Sequence, residues 1–125
     1  MLTPKPNILL IEDNPINVMV IKKFLETDYN VDVITSGKRL ATILLETTYR
    51  LILTDINLND NDMNGVDVLK HIRQQTNTTH TPVIAVTAYH LPDDLARFRD
   101  YGFTDFIVKP VNKESLLATV KKYLV

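Results

Sequence analysis

Four polar stations close the apolar runs of this sequence, and their residue types suggest a single chemistry. Glu12-Asp13 follows Asn7-Ile8-Leu9-Leu10-Ile11, and Asp55 follows Leu51-Ile52-Leu53-Thr54. Thr87 closes Pro82-Val83-Ile84-Ala85-Val86, and Lys109 follows Asp105-Phe106-Ile107-Val108. A lone Asp at a strand end is usually a turn carboxylate bonded to its own backbone. Three carboxylates sharing one pocket would repel and call for a neutralising partner. A hard divalent cation does this, and Mg²⁺ takes one or two carboxylates while keeping several waters. Zn²⁺ would want His or Cys, which none of these stations offers. Lys109 is a point charge suited to phosphate, and the Thr87 hydroxyl can donate to a phosphoryl oxygen. With Mg²⁺ present, Asp55 fits the role of a nucleophile that forms an aspartyl-phosphate. The simpler reading, in which Lys109 only neutralises the acids, does not need Thr87 at the matching strand end.

Placing these residues together requires a particular set of elements. Asn7 to Ile11 and residues 31–34, 51–55, 82–87 and 105–108 read as short buried strands. Asn14-Pro15 is a cap followed by proline at the first helical position. The helix it opens should run to about Thr27, with Ile16, Met19, Val20 and Phe24 on its apolar face. Ser36 caps a helix carrying Leu40, Ile43 and Leu44, and a third helix carries Val66, Leu69 and Ile72. Pro92 opens a fourth, which contains Leu95 and Phe98 and ends at Gly102, where a left-handed glycine belongs. Asn112 caps the last helix, whose apolar residues are Leu116, Leu117, Val120 and Leu124. Five strands alternating with five helices imply a parallel sheet covered on both faces, a doubly wound three-layer α/β sandwich. In such sheets ligands bind beyond the carboxyl ends of the strands, so the four stations become neighbours.

Composition narrows the function classes. The chain has 125 residues, long enough for one domain with a substantial core. It is 45% apolar and 23% charged, an ordinary mix for a globular protein. No apolar run approaches the roughly 18 residues that span a bilayer, and the N-terminus lacks a signal-peptide pattern. Cysteine is absent, so disulfides and thiolate chemistry are excluded. A formal net charge of −1 gives no basic field for nucleic acid. The expectation is a cytoplasmic protein with no direct nucleic-acid or membrane partner.

The acidic pair Glu12-Asp13, then Asp55, Thr87-Ala88 and Lys109-Pro110, in this order at these strand ends, resembles the receiver domain of two-component response regulators. The resemblance covers nearly the whole chain, as a single domain over 1–125 with its core at about 6–124. It implies a CheY-like, flavodoxin-like sheet in the order 2-1-3-4-5. It further implies that Asp55 accepts a phosphoryl group from a phosphohistidine on a sensor histidine kinase or phosphotransfer protein. Asp13 and Asp55 would bind Mg²⁺ directly, with the backbone carbonyl of Asn57, and Glu12 largely through water. Lys109 would pair with the phosphoryl group, and the Lys109–Pro110 bond would be cis. Thr87 and Phe106 would form a switch acting on the face made by helix 4, strand 5 and helix 5. A homodimer formed on phosphorylation belongs to the same expectation, and a turnover enzyme does not.

The sequence departs from the family pattern after Asp55. Leu58-Asn59 stands where a Met-Pro pair is usual, and the polar loop before Gly65 is enlarged. Asn57 and Tyr89 occupy the positions that flank the path of attacking water, and the bulk of Tyr89 should slow hydrolysis. Asp60 and Asp62 read as solvated loop charges, and His71, His80 and His90 as surface residues. A haloacid dehalogenase-type enzyme is disfavoured, because Asp55-Ile56-Asn57 lacks the second acid and follows the third strand. A flavodoxin-like cofactor binder is disfavoured by the acidic turn after the first strand. A receiver-like interaction module that takes no phosphate is the alternative that the altered loop leaves open.

Overall fold

The computed structural model describes residues 4–56, 64–88 and 92–124. Five strands, β1 (Asn7–Ile11), β2 (Asn30–Ile34), β3 (Leu51–Asp55), β4 (Val83–Thr87) and β5 (Asp105–Val108), form one sheet in the order β2-β1-β3-β4-β5. Every neighbouring pair is parallel. Five α-helices connect and cover the strands: α1 (Pro15–Leu25), α2 (Leu40–Glu46), α3 (Gly65–Gln74), α4 (Pro92–Tyr101) and α5 (Lys113–Tyr123). The architecture is the expected doubly wound sandwich.

The alternation of strand side chains explains why both faces are dry. Leu9 and Ile11 on β1, Ile52 on β3 and Val83 and Ala85 on β4 join the core beneath α2, α3 and α4. Ile8 and Leu10, Leu51 and Leu53, and Ile84 and Val86 point the other way, onto Ile21 and Leu25 of α1 and Leu116 and Val120 of α5. The caps lie where the sequence places them. The Asn14 side chain accepts from Ile16 N at 2.9 Å and Asn17 N at 3.2 Å. Asn112 accepts from Ser115 N at 3.1 Å, and Gly102 has φ 111° after α4.

Three details of the helices differ from the expectation. α1 ends at Leu25, with Glu26 as its cap rather than Thr27 as its end. Its buried residues are Ile21 and Leu25, whereas Ile16 and Met19 are 66% and 63% exposed. Seven of its eleven residues are apolar, so periodicity admits more than one inward face, and contact with β1, β3 and α5 selects among them. Ser36 caps a 3-10 turn, Gly37–Arg39, which then runs into α2.

The end of the sheet opposite the polar stations is fastened by Arg73. From α3 its guanidinium donates to the carbonyls of Thr81 at 2.6 Å and Thr78 at 3.3 Å, and reaches Thr104 Oγ1 at 3.5 Å. The Thr104 hydroxyl in turn accepts from Val83 N at 3.0 Å, at the start of β4. Hydrogen bonds to a charged group are worth about 1.5–3 kcal/mol. Arg73→Met should therefore lower the free energy of unfolding by about 1.5–3 kcal/mol in urea titrations while leaving divalent-cation affinity unchanged.

Candidate functional site

The carboxyl ends of β1, β3, β4 and β5 meet at one edge. Glu12 is 1% exposed and Asp55 5% exposed, so both carboxylates are removed from water. Glu12 is aimed by its own turn: Oε2 accepts from Asp13 N at 3.1 Å and from Asn14 N at 3.4 Å, just before α1 begins. Asp55 is the last residue of β3, next to Val86 of β4 in register. Carboxylate oxygens of Glu12, Asp13 and Asp55 all lie within 4.8 Å of one another.

Lys109 closes the cluster from beyond β5. Its ammonium donates to Asp55 Oδ2 at 3.0 Å and lies 3.3 Å from Glu12 Oε1. The second contact is an ion pair without hydrogen-bond alignment, so Glu12 Oε1 remains a buried oxygen that accepts no hydrogen bond. The lysine is held in place by its backbone, because Lys109 N donates to the Thr87 carbonyl at 2.7 Å. The Lys109–Pro110 peptide is cis.

The electrostatics follow from burial of like charges. Burial pushes the Glu12 carboxyl up to about 7, and the Asp55 carboxylate beside it adds to the shift. The positive charge of Lys109 opposes that rise and does not cancel it. For Lys109 itself, burial acts against its charge, but the bond to Asp55 and the two carboxylates outweigh burial and raise its pKa. The site therefore carries more negative charge than one lysine neutralises. An all-oxygen donor set containing a buried carboxylate oxygen without a hydrogen-bond donor fits a hard cation such as Mg²⁺ or Ca²⁺.

Among the sequence-predicted residues, Glu12, Asp13, Asp55 and Lys109 are thus brought together, with Thr87 beside them at the end of β4. Thr87 is fully buried. Phe106 lies farther down β5, opposite Ala85, and packs with the core beneath α4. Val83, Ala85 and Thr87 share one face of β4 by the two-residue period, so Phe106 and Thr87 lie on the same side of the sheet. Asn57 and Tyr89 fall outside the described residues, as do Leu58 to Met63 of the enlarged loop and His90. A cavity of about 330 Å³ opens nearby, lined by Ile56, Val66, Asp94, Arg97, Phe98 and Tyr101, but the carboxylates do not line it.

Gly65 is a site residue that the sequence reading used only as a landmark. A Cβ there would stand 2.5 Å from the Asp55 carbonyl oxygen and 2.7 Å from Ile56 Cα. Gly65 N donates to the Ile56 carbonyl at 3.0 Å, so α3 starts directly against the backbone that carries Asp55. The signal that marks this start is Asn64-x-x-Asp67, a capping box. Asn64 Oδ1 accepts from Val66 N and Asp67 N, and Asp67 Oδ2 accepts from Asn64 N.

Comparison with known proteins points the same way. The family model for the response regulator receiver domain matches residues 8–121. The polar-differentiation response regulator DivK of Brucella ovis is 31% identical over 119 residues, which cover 94% of this chain and 95% of DivK. The solved receiver domain of a Pseudomonas aeruginosa sensor histidine kinase, with magnesium coordinated in its active-site cleft, is 30% identical. It superposes with a TM-score of 0.85 over 96% of this chain and 98% of that one. The chemotaxis response regulator CheY4 of Vibrio cholerae superposes with a TM-score of 0.86 over 95% and 98%, at 23% identity, a likeness of fold.

Two measurements test this geometry. Gly65→Ala should cost about 1–3 kcal/mol of stability in urea unfolding, because the added methyl group meets backbone rather than a movable side chain. Glu12 gives a pH signature in metal-free protein. Its folded pKa of about 7 lies above the ordinary value of 4.5, so between those values the native state holds more protons than the unfolded chain. Stability from this group is full below pH 4.5 and is lost as pH rises toward 7. Thermal melts of wild type and Glu12→Gln in chelator should show that fall only in wild type.

Proposed function

The chain belongs to the response regulator receiver domain family, a class of two-component signalling modules, and we propose that Asp55 is its phosphoryl acceptor. The observation that carries this reading is the Lys109 ammonium 3.0 Å from Asp55 Oδ2, in a cluster with Glu12 and Asp13. An Asp55 carboxylate oxygen attacks the phosphorus of a phosphohistidine on a sensor histidine kinase or phosphotransfer protein. The P–N bond breaks, and its electron pair leaves with the imidazole nitrogen. Lys109 is placed to hold a phosphoryl oxygen on arrival, and the turn at Glu12 and the start of α3 at Gly65 keep the acceptor carboxylate fixed.

Mg²⁺ fits this donor set. Asp13 and Asp55 would hold it with the backbone carbonyl of Asn57, and Glu12 would act largely through water. Bound there, it would offset the negative charge that carboxylates and phosphoryl oxygens bring to one pocket. The magnesium in the cleft of the Pseudomonas receiver supports the assignment.

Occupation of Asp55 is then read through Thr87 and Phe106. The Thr87 hydroxyl turns toward the phosphoryl oxygens, and the Phe106 ring follows on the same side of the sheet. The change biases the α4–β5–α5 face between two states. Phe106 carries no hydroxyl, so a partner reads this face by shape and by the neighbouring charges. Asn57 and Tyr89 are assigned to tuning the hydrolysis that ends the signal.

Incubation with Mg²⁺ and acetyl phosphate should attach one phosphoryl group, stable to acid and labile to base, and Asp55→Ala should abolish it. If wild-type protein takes no phosphoryl group, the chain is instead a phosphorylation-independent interaction module.

A further inference from the structure

Phe106 has a neighbour that the mechanism above does not use. The guanidinium carbon of Arg99, in the last turn of α4, lies 5.3 Å from the centroid of the Phe106 ring. That distance falls within the range of a cation–π contact. The other arginine of α4, Arg97, is engaged elsewhere, 2.6 Å from Asp94 on its own helix. Burial and the bond to Asp105 push the Tyr123 phenol up to about 12, and the positive charge of Arg99 acts against that shift. Next to Phe106 in β5, Asp105 accepts a hydrogen bond of 2.7 Å from the Tyr123 hydroxyl of α5.

The ring is the movable partner in this contact. Phe106 is half-buried on an edge strand, paired in register with Ala85 and lying diagonally from Thr87. On the switch reading, a ring that moves toward the fully buried Thr87 leaves the half-buried position in which it meets the exposed Arg99. A guanidinium is charged at every physiological pH, so the attraction does not switch off with pH.

We infer that Arg99 is a latch that holds the Phe106 ring in the position seen here and sets how readily the switch moves. This rests on the reading of Phe106 and Thr87 as the switch pair. An exposed cation–π contact of this kind shifts a two-state equilibrium by roughly two- to fivefold. Arg99 is a positioning residue: it touches neither the acceptor nor the phosphoryl group.

The test uses Arg99→Ala and Arg99→Lys, both at an exposed position that leaves the core intact. Relaxation dispersion at the Phe106 ring carbons, in unphosphorylated protein, reports the population of the displaced ring. Arg99→Ala should raise that population roughly two- to fivefold, with Arg99→Lys between Ala and wild type. The rate of Asp55 modification by acetyl phosphate with Mg²⁺ should rise by a similar factor. In a Phe106→Leu background the same change should leave the rate unaltered. An unchanged displaced-ring population in Arg99→Ala, or an equal rate gain with and without the ring, would overturn the latch. If Phe106→Leu fails to fold, the ring population alone decides. Wild-type protein that takes no phosphoryl group would refute the acceptor reading, while the ring measurement still judges the latch.

Discussion

The structure depends on one half-buried cation placed between two buried carboxylates. Lys109 lies beyond the last strand, yet its ammonium reaches Asp55 on β3 and Glu12 after β1, passing over the end of β4. Two carboxylates with almost no exposure would otherwise repel each other in a medium that screens poorly. The contact works because Lys109 N is bonded to the Thr87 carbonyl, which fixes where the side chain begins. Burial, with the Asp55 carboxylate beside it, still raises the Glu12 pKa against the pull of Lys109. A site left with excess negative charge and a buried acceptor oxygen suits a further cation.

Tight packing around that charge cluster turns chemistry into geometry. α3 begins so close to the Asp55 carbonyl that only glycine fits at position 65, and the capping box at Asn64 and Asp67 holds the helix there. At the opposite end of the sheet, Arg73 binds the starts of β4 and β5 to α3 through carbonyls and a threonine hydroxyl. Between these two ends every described strand residue of β3 and β4 is buried. At the edge, β5 is less buried than these central strands and carries the half-buried Phe106.

Much of this was legible in the residues themselves. Apolar runs marked β1, β3 and β4 most plainly, because a strand buried on both faces has no polar phase to confuse it, whereas the edge strands β2 and β5 carry the polar Asp32 and Asp105. The caps Asn14 and Asn112 and the glycine at 102 were legible because each supplies a hydrogen bond or a backbone angle that other residues supply poorly. α1 was legible in position and not in phase. With apolar residues around most of its circumference, the 3.6-residue period cannot select Ile21 and Leu25 over Ile16 and Met19. Gly65 was visible as a loop boundary, but its steric role was hidden, since a close approach between two backbones leaves no pattern in one of them.

The sequence by itself determined which polar groups are available and the edge on which they gather: Glu12, Asp13, Asp55, Thr87 and Lys109 each stand at the end of an apolar run, and parallel strands bring such ends together. Only the tertiary structure decided how those groups share charge. Whether Lys109 meets one carboxylate or two, and which oxygen of Glu12 is left without a hydrogen bond, depends on distances of a few ångströms set by packing. The same holds for Arg99 over Phe106. Nothing in the spacing of residues 99 and 106 announces a contact, because it forms across a turn between a helix and an edge strand whose relative placement the whole sandwich fixes.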